Sequence, residues 1–128
     1  MLEQGIKGRQ EELVTETNSA KEVGSGQLMV YATPAMIALV EKTAWMSVAS
    51  YLEKGEGTVG TKLDVSHISA TPVGMKVWCE TKLSEVDKRR LVFSIMVYDE
   101  KGKIGEGTHE RFVINNEKFI SKANSKLE

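Results

Sequence analysis

TPAMIALVEKTAWMSVASYL (residues 33–52) is the stretch on which the reading of this chain turns. It runs without a breaker from Pro34 to Gly55, and at ~1.5 Å per residue it makes a rod of roughly 30 Å. Thr33 is a favoured N-cap type, Pro34 suits the first helical position, and Gly55 is the expected stop signal. Met36, Ile37, Leu39, Val40, Trp45, Met46, Val48 and Leu52 fall on more than one face, whereas a surface helix needs a single apolar stripe. This helix is therefore expected to be covered nearly all round. A membrane span is the competing reading, but Glu41 and Lys42 near its middle would each cost on the order of 3 kcal/mol on insertion scales.

Four segments of strand character follow, over roughly 58–69, 75–86, 90–98 and 103–114. In the second, Val77, Cys79, Thr81 and Leu83 alternate with Lys76, Trp78, Glu80 and Lys82, and the third is apolar on both faces and expected to be central. Turn chemistry at 71–74, 87–89 and 99–102 links them, and the last two links are short enough for antiparallel hairpins. Ahead of the helix, QEELVTETNS (9–18) is a polar strand candidate for a sheet edge, and KEVGSGQLMVYA (21–32) has the composition of a turn leading to a short strand or covering loop. One long helix after an early strand, followed by a four-strand meander, implies an α+β hotdog arrangement: an antiparallel sheet of about five strands wrapped around one central helix. Residues 1–128 are read as a single domain, with a loosely ordered tail from about residue 121.

The composition excludes several classes. Seventeen Lys and Arg against eighteen Asp and Glu give a formal net charge of -1, which is no footprint for holding a nucleic-acid backbone. One cysteine and two histidines exclude an intramolecular disulfide and leave too few soft ligands for a closed zinc site. The polar N-terminal stretch lacks the basic-then-apolar layout of a secretory signal, so a cytoplasmic location is expected.

Glu41 is the sharpest chemical signal, because burying a lone carboxylate is expensive unless it is paired or used. It is either a general base or nucleophile, or a neighbour-paired member of a solvated helix face beside Lys42. His67, at the end of a strand in VSHISATP, is read on its own as a structural residue more readily than as a catalyst. Thr33 is by itself a helix cap. It stands eight residues from Glu41, about 12 Å of helical rise, so the two cannot touch in a straight helix. The chain bends back, or His67 and substrate lie between them, or a partner subunit contributes. Gly60 marks a bulge or a close backbone approach, and His109 and Arg111 alternate to one face as an exposed or salt-bridged pair. Lys88, Arg89 and Arg90 are solvated turn residues or contacts for phosphate, and Cys79 is a buried thiol.

TPAMIALVE, YLEKGEGTVGT, VSHISATPVGM and GTHER, between Thr33 and about Phe119, together resemble the fluoroacetyl-CoA thioesterase family of hotdog proteins. YLEKGEGTVGT followed closely by HISATP is the specific part. The resemblance implies that Thr33, Glu41 and His67 are catalytic and that Gly60 and Arg111 contact substrate. It also implies hydrolysis of a small or medium acyl-CoA without metal or cofactor; the apolar helix and strands, too much for one sheet to cover, imply a homodimer or a tetramer built from it, and the charge pattern gives no nucleic acid or membrane as partner. The family's fluoroacetate enzyme carries an aromatic-rich insert ahead of its threonine, and the shorter KEVGSGQLMVYA here contains no Phe. A non-catalytic acyl-CoA binding or sensing domain on the same scaffold is the alternative. An enoyl-CoA hydratase would want an Asp and a His a few residues apart, and residues 30–55 hold no such pair.

Overall fold

The computed structural model describes residues 2–128. Strand β1 (Lys7–Leu13) leads through a short helix α1 (Ala20–Val23) to helix α2 (Thr33–Val48), which tightens into a 3-10 turn over Ala49–Tyr51. Strands β2 (Glu56–His67), β3 (Lys76–Asp87), β4 (Arg90–Asp99) and β5 (Gly102–Asn115) follow, and helix α3 (Asn116–Asn124) closes the chain. The strands form one antiparallel sheet in the order β1-β3-β4-β5-β2, so β4 is central as its two apolar faces predict.

The meander is shorter than the sequence implies. Only β3, β4 and β5 are joined as consecutive hairpins. β2 crosses to the far side and pairs with β5, while β1 takes the other edge beside β3. The early strand occupies Lys7–Leu13 rather than residues 9–18. Ahead of and into the tail expected from about residue 121, residues 116–124 are helical, started by the Asn115 side chain accepting from the Lys118 N–H. None of the residues of α3 is buried in this chain.

The core lies between α2 and one face of the sheet. Val77, Cys79 and Leu83 of β3 and Leu91, Phe93, Ile95 and Val97 of β4 meet Met36, Leu39, Val40, Ala44 and Val48 of the helix. The covered-helix expectation is met on this side alone: Trp45 is 45% and Met46 40% exposed. One sheet can bury one stripe of a helix, and the remaining apolar residues have no layer of this chain to meet. No helix is long and apolar enough to cross a membrane among the described residues.

Two glycines set how closely elements approach. A Cβ on Gly8 of β1 would lie 2.7 Å from Ser47 Cβ and 2.7 Å from Thr81 Oγ1, so the helix rests directly on the β1 backbone. Gly107 of β5, at φ +153°, has no room either: a Cβ would fall 2.0 Å from the Asp64 carbonyl oxygen. Gly107→Ala must therefore push β2 away from β5 while adopting a strained backbone. We expect it to lower the urea midpoint by the equivalent of about 2–4 kcal/mol; an unchanged midpoint would show that the β2–β5 pairing does not need this close approach.

Candidate active site

Thr33 opens α2, but its hydroxyl does not cap the helix. Ala32 holds the N-cap position with no side-chain hydrogen bond, and Pro34 follows within the first turn. The Thr33 Oγ1 instead lies 2.7 Å from His67 Nδ1. This overturns the cap reading of Thr33, because an extended Ala32 turns the threonine one position into the helix and toward the end of β2. The His67 Nε2 is buried and has no hydrogen-bond partner among the described residues. Burial lowers the His67 pKa, with the Ser69 backbone partly opposing it. Tyr31 packs edge-on to the imidazole at 6.5 Å, and its own hydroxyl donates to the Glu12 carboxylate. A cleft of about 320 Å³ opens here, lined by Tyr31, Thr33, His67, Ser69 and Ala70 among others.

A second group of polar side chains gathers around Glu41. The Arg111 guanidinium, 6% exposed as a residue, sits 3.6 Å from the Glu41 carboxylate, an ion pair too long for a direct hydrogen bond. Its Nε donates to Thr58 Oγ1 at 2.8 Å and its Nη2 to the Thr58 carbonyl at 2.9 Å. His109, fully buried, lies between Arg111 and the Lys62 carbonyl. Gly60 marks the bulge that the sequence allowed, and its backbone is approached by side chains of the same chain. The β2–β5 register slips between Gly60 and Lys62, and a Cβ on Gly60 would come within 2.7 Å of Glu41 Oε2 and 3.3 Å of Arg111 Nη1.

The five residues read from the sequence thus fall into two groups within one chain, Thr33 with His67 and Glu41 with Gly60 and Arg111. Gly60 and His67 stand seven residues apart on β2, roughly 20 Å at the rise of a strand. α2 starts at Thr33 and is helical through Glu41, so the chain does not bend back to join them. A salt-bridged Arg111 was among the sequence alternatives; its burial, and the part played by His109, were not. Its signal is the alternation of His109, Arg111 and Val113, three residues that share the buried face of β5.

Other candidates resolve simply. The Cys79 thiol is pushed up to about 12 by burial, which leaves it a packing residue. Arg89 reaches Glu56 at 3.6 Å, and Arg90 is held by Glu85 and Glu110, so two of the three cations at the β3–β4 turn already have carboxylate partners. No group of three or more His, Cys, Asp or Glu is placed to hold a metal ion among the described residues.

Burial lowers the pKa of His67 and, with the Arg111 charge adding to it, that of His109. The unfolded chain takes up a proton at His109 near pH ~6.5, while the folded chain resists. The contribution of His109 to stability is complete above that pH and is lost as pH falls through the depressed folded value. The thermal midpoint should drop on acidification below pH ~6.5, with the His109 imidazole titrating below the ordinary histidine value by NMR. A His109 imidazole titrating at or above that value would contradict the assigned burial.

Comparison with known proteins places this geometry. The model of the fluoroacetyl-CoA-specific thioesterase family matches residues 14–117. The fluoroacetyl-CoA thioesterase of Streptantibioticus cattleyicolor is 43% identical over 97 residues, which span 76% of this chain and 70% of that protein. A mutant fluoroacetyl-CoA thioesterase solved in complex with acetyl-CoA superposes with a TM-score of 0.94 at 32% identity, covering 99% of this chain and 100% of that one. A hot-dog-like protein from Thermanaerovibrio acidaminovorans has the same fold, with a TM-score of 0.88 at 18% identity over 98% of this chain and 93% of its own. The sheet that wraps α2 is a hotdog fold, and the chain belongs to the fluoroacetyl-CoA-specific thioesterase family.

Proposed function

We propose that this chain is an acyl-CoA thioesterase whose site is completed across a homodimer, with Thr33 and His67 from one subunit and Glu41, Gly60 and Arg111 from the other. The observation that carries the reading is the division of these residues into two groups set around Gly60 and His67 of one strand, β2, which is itself a sheet edge. A twelve-residue strand with one side unpaired is a standing invitation to pair with another strand. Leu63 near its middle is 40% exposed. If β2 pairs antiparallel with its own copy about a two-fold axis between Leu63 and Asp64, position 60 of one subunit lies opposite position 67 of the other. The partner's Glu41, which packs on Gly60, then comes to the His67 Nε2 that has no hydrogen-bond partner among the described residues. The same pairing places a second molecule beside the uncovered face of α2.

Hydrolysis follows from these groups. A thioester carbonyl in the cleft at the start of α2 meets a first helical turn with no side-chain cap, whose N–H groups stabilise the developing oxyanion. The Glu41 carboxylate takes a proton from water as the water adds to the carbonyl. Alternatively it adds directly, giving an anhydride that water opens. His67, oriented by the Thr33 hydroxyl, delivers a proton to the departing CoA sulfur, so that acyl-CoA and water become free acid and CoA. Arg111 holds the Glu41 carboxylate of its own subunit in place and offers charge to the substrate. The reaction calls on no metal or redox group. The small lining side chains Ala20, Ser25 and Ala70 leave room for a small to medium acyl group.

Release of free thiol from a panel of acyl-CoA esters tests the activity. Glu41→Gln and His67→Ala are each expected to lose ~100- to 10,000-fold while staying folded. Binding of the esters without release by the wild type would make this a binding or sensing domain instead. Co-expression of the two inactive variants tests the shared site. Half of the random dimers are mixed and each holds one intact site of two, so about one quarter of wild-type activity should return. No recovery would place Glu41 and His67 in the same subunit's site or remove one of them from the mechanism.

A further inference from the structure

We propose that His109 is a positioning residue for Arg111: a neutral imidazole whose bare Nε2 accepts from the guanidinium and fixes the direction in which its charge meets Glu41. The inference rests on the reading of Glu41 and Arg111 as members of the site. His109 Nδ1 lies 2.9 Å from the Lys62 carbonyl oxygen, beside the bulge in β2. A carbonyl only accepts, so Nδ1 carries the hydrogen, and a neutral imidazole then has only a lone pair at Nε2. That lone pair faces Arg111 Nη1 at 3.2 Å. Phe93 stacks on the ring with centroids 6.3 Å apart, and the missing side chain of Gly60 leaves the other approach clear, since a Cβ there would lie 3.2 Å from His109 Cε1.

The residue type matters for its charge. Thr58 holds only the Nε–Nη2 edge of the guanidinium, so Nη1, the atom nearest Glu41, has His109 as its one hydrogen-bond acceptor among the described residues. A carboxylate in place of His109 would neutralise Arg111 and compete with Glu41 for it. An imidazolium would set donor against donor and charge against charge. A neutral acceptor directs the fork while leaving its full charge for the reacting carboxylate and the substrate.

The test combines a spectroscopic readout with a mutational cycle. Nitrogen-15 NMR of the wild-type imidazoles at neutral pH should show His109 as the Nδ1–H tautomer with an unprotonated Nε2; an Nε2–H tautomer or an imidazolium overturns the proposal. This readout needs no turnover and no variant, so it stands whether or not the chain hydrolyses the esters offered. With an active wild type, His109→Leu should lower kcat on the order of 100-fold, as a small misplacement of reacting groups does, with little change in KM. His109→Gln, which can again offer an oxygen to Arg111, should recover most of that loss. In an Arg111→Ala background, His109→Leu should change nothing further. Equal losses with and without Arg111, or Gln behaving as Leu does, would reduce His109 to a packing residue.

Discussion

A positive charge buried in the concave face of a sheet has to be surrounded by acceptors, and the region around β2, β5 and α2 is arranged to do that for Arg111. Thr58 ties its guanidinium to the edge strand, His109 to its own strand, and Glu41 to the helix. These ties decide more than the position of one side chain. They set the depth at which α2 lies over the end of the sheet and require glycine at position 60, where any side chain would occupy the carboxylate's place. The bulge beside it brings the Lys62 carbonyl to the His109 ring. Removing an acceptor from this cluster leaves the buried Arg111 with fewer partners, so its members depend on one another.

The second constraint is one of rise. A helix advances ~1.5 Å per residue and a strand ~3.3 Å, so eight residues of α2 and seven of β2 separate two pairs of functional side chains to opposite ends of one chain. Within a protomer the pairs do not meet. Among the described residues an edge strand has no neighbour on one side, a helix face bearing Trp45 and Met46 is exposed, and a buried imidazole nitrogen has no hydrogen-bond partner. The proposed dimer accounts for these three features together.

Much of the scaffold was legible from residue patterns. Alternation along β3, the double apolar character of β4 and the turn residues between 87 and 102 define hairpins by contacts between neighbours in sequence, and such contacts leave a periodic trace. The long helix is legible for the same reason, as are its carboxylate and the glycine on β2. Thr33 shows the limit of local reading. The propensity that makes threonine a cap is real, yet here the hydroxyl bonds to an imidazole thirty-four residues away, and Ala32 holds the N-cap position with no side-chain hydrogen bond. Likewise nothing local says that β2 skips β3 and crosses to β5.

The amino-acid sequence by itself determined the long helix, the strands that follow it, their apolar faces and, through its resemblance to a family, the residues to watch. Tertiary structure decided which of those residues stand together: Thr33 with His67, Glu41 with Arg111, and His109 as the buried link that alternation alone left ambiguous between exposed and paired. The physical reason is that periodicity records which side of an element faces the core. Hydrogen-bond partners across strands depend instead on register, bulges and backbone approach distances, which are set only when the whole sheet is assembled.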